Sequence, residues 1–131
     1  MKYLKFTFVF LFIFCFNFAK AQKINELLPP YNIKTIAFQQ GGQNVVPIFT
    51  LGESFQFMFD DLYGDDANYF YSIIHCDYNW NQSDLSRSEY LAGFDGQQIQ
   101  NQENSFNTLQ HYSHYKITLP NKQARFKVSG N

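Results

Sequence analysis

Phe55-Gln56-Phe57-Met58-Phe59 sets an aromatic ring at every second position, with Gln or Met between the rings. An extended strand turns successive side chains to opposite faces, so this spacing gathers three rings on one side of a pleated backbone. Tyr115-Lys116-Ile117-Thr118-Leu119 repeats the pattern far downstream, with the polar partners again on the odd face out. Working outward, Ile36 and Phe38 share a face, as do Val46 and Ile48. Tyr69, Tyr71 and Ile73 stand opposite Phe70 and Ile74, and Phe126 alternates with Val128. Gly41-Gly42 and Leu51-Gly52-Glu53 supply turns between these runs. Asp60 to Asp66 supplies another, which predicts a hairpin from Phe55–Phe59 into Asn68–Cys76. The polar stretch from Asp77 to Asn104 leaves room for short edge strands, and no period of 3.6 persists over three turns anywhere. Pro47 and Pro120 fall at strand starts or ends, where a lost N–H is tolerated. Six or seven short strands with turns at regular intervals predict an all-β fold, an antiparallel immunoglobulin-like β-sandwich.

The ends of the chain have a different character. Met1-Lys2-Tyr3-Leu4-Lys5 is cationic, Phe6 to Phe16 is apolar at almost every position, and Ala19-Lys20-Ala21 closes the segment. That order is the pattern of a cleavable export signal, too short for a membrane-spanning helix, which needs about 20 apolar residues. Residues 1–21 are therefore expected to be removed, leaving 22–32 as a tether stiffened by Pro29-Pro30 and 33–131 as the sandwich domain. Lipidation is not expected, because Ile13 and Phe14 precede Cys15 where small residues belong. At the other end, Phe126-Lys127-Val128-Ser129-Gly130-Asn131 is a strand pattern that stops on a turn signal, which predicts a further strand beyond Asn131.

Cleavage leaves nine Phe, eight Tyr and Trp80 to fill a core of one domain. Cys76 then stands alone, so no internal disulfide can form in an oxidising compartment. Ten acidic residues between Glu53 and Glu103 face the single Arg87, and Lys116, Lys122, Arg125 and Lys127 follow with no acid among them. A nucleic-acid binder carries a clustered basic excess, which this chain lacks.

Four groupings bear on chemistry. His75-Cys76-Asp77 holds the ingredients of a thiol nucleophile and its base, but neighbours on a strand point apart, so a structural Cys beside a hydrogen-bonded His is the expected reading. Asp60, Asp61, Asp65 and Asp66 offer oxygens to calcium without the spacing of a calcium-binding loop; solvated carboxylates in an exposed turn are the competing reading. His75, Cys76, His111 and His114 lack the paired spacing of a closed zinc site. The abundant tyrosines with Trp80 could stack on sugars or a partner, but they are too numerous for one face, so most belong to the core. No catalytic residue, metal site or cofactor is expected.

Phe59-Asp60-Asp61-Leu62, the run Tyr69 to Trp80 (YFYSIIHCDYNW), Glu89-Tyr90-Leu91-Ala92-Gly93-Phe94, Ser105-Phe106-Asn107-Thr108, His114 to Pro120 and Arg125 to Asn131 together, in this order, resemble the N-terminal domain of the type IX secretion system plug protein family. The resemblance covers about Ile33 to Asn131. It implies a periplasmic protein that binds the outer-membrane translocon barrel and closes its periplasmic end, with no reaction, no nucleic acid, no membrane span and no small-molecule ligand. An exported carbohydrate-binding β-sandwich is the alternative reading. Carried over by motif, the structural or interface candidates are Asp60, Asp61, Tyr71, His75, Cys76, Asp77, Trp80, Tyr90, Gly93, Phe94, Phe106, Asn107 and Tyr115. Among them Asp77, with Asn79, is expected to form a turn, Gly93 to supply a backbone angle that a Cβ forbids, and Asn107 to bond a loop carbonyl. Trp80 is expected to pack between the two sheets, so Trp80→Ala would cost about 3–5 kcal/mol, measurable by thermal melting.

Overall fold

The computed structural model describes residues 28–131; the expected export signal and most of the expected tether lie outside the described residues. Two long strands carry the fold. In β3 (Phe55–Asp61) and β8 (Ser113–Leu119) the register places Phe55 opposite Leu119, Phe57 opposite Ile117, Phe59 opposite Tyr115 and Asp61 opposite Ser113. All eight point to one face, as the period-two reading requires, and Tyr115 is only 1% exposed. The opposite face pairs Gln56 with Thr118, Met58 with Lys116 and Asp60 with His114. β1 (Ile33–Gln40) flanks β3, β7 (Asn101–Asn104) flanks β8, and the short β2 (Gln43–Asn44) finishes a five-stranded antiparallel sheet in the order β2-β1-β3-β8-β7.

Two antiparallel ribbons cover the aromatic face. One joins β4 (Phe70–Tyr71) to β6 (Gln97–Gln98), and the other joins β5 (Leu91–Gly93) to β9 (Ala124–Phe126). Leu91, Ile99 and Ala124 bring their buried side chains against Phe59, Tyr115, Ile117 and Leu119, with Tyr71, Tyr90 and Phe126 packed around them. Ring geometry is specific at the centre: Phe59 stacks on Tyr115 at 5.2 Å while Tyr69 meets both edge-on. Such pairs add to burial because ring edges and faces carry opposite partial charge. A single helical turn, α1 (Arg87–Tyr90), precedes β5, and its Glu89 carboxylate reaches back to the Ser86 N–H at 2.7 Å.

The structure departs from the sequence reading at four places. The hairpin expected from Phe55–Phe59 into Asn68–Cys76 does not form: Asp60 and Asp61, expected in the turn, continue β3, which is already flanked by β1 and β8, while β4 pairs with β6. Ile36 does not share the inward face of Phe38, because a bulge sets Thr35 and Ile36 against one residue of β3, with Thr35 at φ 53. Two residues against one flips the alternation. Val46 and Ile48 form no strand. The Ile48 N–H turns back on the Val46 carbonyl at 2.7 Å, a tight reversal centred on Pro47, whose fixed φ suits it. Trp80 is not a core anchor, being 65% exposed on a loop.

Gly93 meets its expectation. It adopts φ 136, and a Cβ there would collide with the Gln123 carbonyl where β5 meets β9.

Phe59→Ala should destabilise the domain by about 3–5 kcal/mol, whereas Trp80→Ala should stay within about 0.5 kcal/mol. Urea titration followed by circular dichroism reads both, and the opposite order would return the indole to the interior.

Candidate functional site

Motif residues gather in two places on this frame. The first begins where β4 leads into His75. The His75 Nε2 lies 3.0 Å from the Ser129 carbonyl, which can only accept, so this nitrogen carries the hydrogen. Nδ1 then accepts from the Ser83 hydroxyl at 2.8 Å in the neutral ring. Neither nitrogen is directed to the Cys76 thiol. Cys76 is half-buried and exchanges backbone hydrogen bonds with Asn131, N–H to carbonyl in both directions at 2.8 and 3.1 Å. The residues that suggested a nucleophile instead seat the segment Ser129–Asn131, where a Cβ on Gly130 would run into the His75 ring. Tyr90 completes this seat, its hydroxyl donating to the Ile73 carbonyl at 3.2 Å and its ring 5.7 Å from that of His75.

Asp77 begins the following loop and organises it as the sequence suggested. Its carboxylate accepts the backbone N–H of Asn79 at 2.8 Å and of Asn81 at 3.0 Å, plus the Asn81 side-chain amide at 3.2 Å. Donors of this kind favour the charged form, and that of the Asn81 backbone contributes most to holding the carboxyl below its usual range. Trp80, with φ 63, and Tyr78 project from the loop so formed.

The second place is the far end of β3. Adjacent strand residues diverge, so Asp60 turns outward to His114 at 2.6 Å while Asp61 turns inward, 1% exposed. Asp61 accepts from the Asn32 amide at 2.7 Å, the Tyr69 hydroxyl at 2.8 Å and the Tyr63 N–H at 3.0 Å. Burial pushes this carboxyl up, but the three donors together outweigh burial and hold it below the usual carboxylate range. Tyr69 is pushed up to about 12, first by burial and then by the hydrogen bond and charge of Asp61. Tyr115, beside it, is also raised, again by burial first, and donates its hydroxyl to the Ala67 carbonyl at 2.8 Å. The acidic turn is therefore not a cluster of converging oxygens. Asp66 accepts from Gln102 and Asn104 of β7, and no group of three or more His, Cys, Asp or Glu side chains among the described residues could hold a metal ion.

The remaining motif residues lie apart from both places. Tyr71 packs on the core and Gly93 closes the β5–β9 ribbon. Phe94 and Phe106 are exposed, and Asn107 takes a left-handed backbone at φ 55. No hydrogen bond from the Asn107 side chain to a loop carbonyl occurs among the described residues, so its role is that of a turn. Sequence reasoning missed Asn32, which looked like tether, and the Asn131 pairing to Cys76. Nothing local marks either one, since both depend on contacts far along the chain.

Side chains spent on bracing loops and chain ends, over a layered aromatic core, define an antiparallel β domain that presents loops from a rigid body. Residues 33–131 match the first domain of the type 9 secretion system plug protein, and the chain belongs to that family. It is also similar to a crystal structure of a hypothetical protein from Parabacteroides merdae, with 38% sequence identity and a TM-score of 0.72 over 77% of this chain. The match covers 26% of that protein, so this chain spans about a quarter of its length. Comparison with curated proteins gives no match. Among the described residues no helix is long and apolar enough to cross a membrane.

Asp61 sets an expected acid limb of stability. Its folded value lies below the unfolded one, about 3.9, so its contribution is complete above that pH and is lost as pH falls through the folded value. The raised Tyr69 acts in the other direction, contributing fully below 10.0 and losing its contribution as pH rises to about 12. Asp61→Ala strands three donors and should cost about 2–4 kcal/mol at pH 7, with a flatter decline below pH 4. Urea unfolding at pH 7 and pH 3 checks both; an unchanged pH 7 midpoint would show the clasp to be idle.

Proposed function

We propose that this chain is the first domain of an exported plug subunit that sits at the periplasmic mouth of the type IX outer-membrane barrel and closes it between substrates. The observation that carries this reading is the family match across residues 33–131. The cationic start, apolar Phe6–Phe16 and Ala19-Lys20-Ala21 supply the export route, with the periplasm as destination. The physics of the domain is compatible with occlusion. A wide aqueous pore is sealed only by a body that holds its shape, and here the loops are braced by buried or multiply bonded side chains: Asp61 at one place, Asp77 and His75 at the other. The reading assigns the domain contact and obstruction, with no reaction.

Two measurements test it. Tagged full-length protein is expected to copurify with the barrel in mild detergent, and cells lacking the protein are expected to admit a large hydrophilic antibiotic such as vancomycin. Normal resistance in the deletion strain, together with no recovery of the barrel, would overturn the assignment.

A further inference from the structure

The Asp77–Asn81 loop has the properties of a preorganised contact point. Tyr78 and Trp80 are 81% and 65% exposed, so the two largest side chains of the loop gain nothing from the core. Trp80 also holds a left-handed backbone, φ 63, which bulky residues rarely adopt and which clusters at binding and switching sites when the surroundings enforce it. Here the enforcement is visible. The Asp77 carboxylate holds Asn79 and Asn81, the Trp80 N–H closes on the Asp77 carbonyl at 3.1 Å, and the Asn131 amide grips that carbonyl from outside at 2.9 Å. A loop already fixed in this way loses little conformational freedom when it binds.

Beside it lies a hollow of about 150 Å³, lined by Ile73, Ile74, Tyr90, Phe126 and Val128 and bordered by Asn131, the same residue that grips the loop. The loop is followed in sequence by an exposed carboxylate, Asp84, while the cations of the neighbouring elements are turned onto backbone carbonyls, Arg87 onto Gly93 and Lys127 onto Ser88.

We propose that Tyr78 and Trp80 are the anchors of a protein interface, and that the partner surface presents arginine or lysine beside a protruding apolar side chain. A cationic side chain stacks on exposed aromatic faces and pairs with Asp84, while the apolar side chain enters the hollow. A glycan could stack on the rings but would leave the hollow and the Asp84 charge unused. For the identity of the partner this inference rests on the plug reading, which makes the barrel the surface in question.

The test uses tagged full-length protein and the barrel, copurified in mild detergent. Trp80→Ala, and the double variant with Tyr78→Ala, should recover about tenfold less barrel than the parent while melting within a degree or two of it. Asp84→Asn, which disturbs no contact in the fold, should weaken recovery at low salt and lose its effect near about 0.5 M salt, where surface charge is screened. Leu109→Ala, at a fully exposed position elsewhere, should change nothing. Parent-level recovery by Trp80→Ala and Asp84→Asn would overturn the interface and leave the plug reading standing. Failure of the parent itself to bring down the barrel removes the plug reading and this inference with it. Binding of the parent to a glycan array, lost in Trp80→Ala, would replace the protein partner by a sugar.

Discussion

Phe59 lies directly opposite Tyr115, and the rest of the domain depends on that register. With it, Phe55, Phe57 and Asp61 of one strand face Leu119, Ile117 and Ser113 of the other on the covered side of the sheet. A slip of one residue would turn Gln56, Met58 and Asp60 inward and break up three aromatic or aliphatic pairs at once. The polar end of the ladder reinforces the choice. Asp61 finds Asn32 and Tyr69 only when it points inward, and Ser113 donates to Asn104 of β7 at 2.8 Å only on the same face. A buried carboxylate without donors is costly, so the alternative register is penalised at both its apolar and its polar positions.

Much of this was legible in the sequence because a period of two is a local signal. Phe55–Phe59 and Tyr115–Leu119 read as strands from their own residues, and Gly93 was expected, from the motif it sits in, to take a backbone angle that a Cβ forbids. Pairing was less legible. Which strand lies beside β3 is decided by chain segments far apart, and the turn at Asp60–Asp66 suggested a hairpin where the protein instead closes its sheet through β8. Bulges and reversals were hidden for a related reason. Thr35 bulges its strand and Pro47 reverses a loop through backbone angles, and nothing in their composition distinguishes an alternation that continues from one that flips.

The candidate site shows the same division. Asp77 was read as a turn former from its type and neighbours, and the loop it organises bears that out through hydrogen bonds spanning only four residues. Trp80 was assigned to the interior because large aromatic residues in sandwiches are commonly buried, a statistical argument with no local physics behind it. The core was in fact already filled by Phe59, Tyr69 and Tyr115, whose rings interlock within 5.2 Å of one another. His75 and Cys76 illustrate a different limit. Their chemistry suggested reactivity, yet the partner that satisfies them is the segment Ser129–Asn131, more than fifty residues away and invisible to any local pattern.

That distant contact has a mechanical consequence. Asn131 pairs with the Cys76 backbone and also grips the Asp77 carbonyl, so the segment Ser129–Asn131 and the base of the aromatic loop share hydrogen bonds. Gly130 fits beneath the His75 ring only because it lacks a side chain, and His75 in turn bonds Ser83 on the far side of the loop. The segment after Phe126 is therefore tied to the base of the Trp80 loop by a few short hydrogen bonds, whereas the Asp61 clasp sits at the other end of β3 from Phe55, whose ring packs on Phe126.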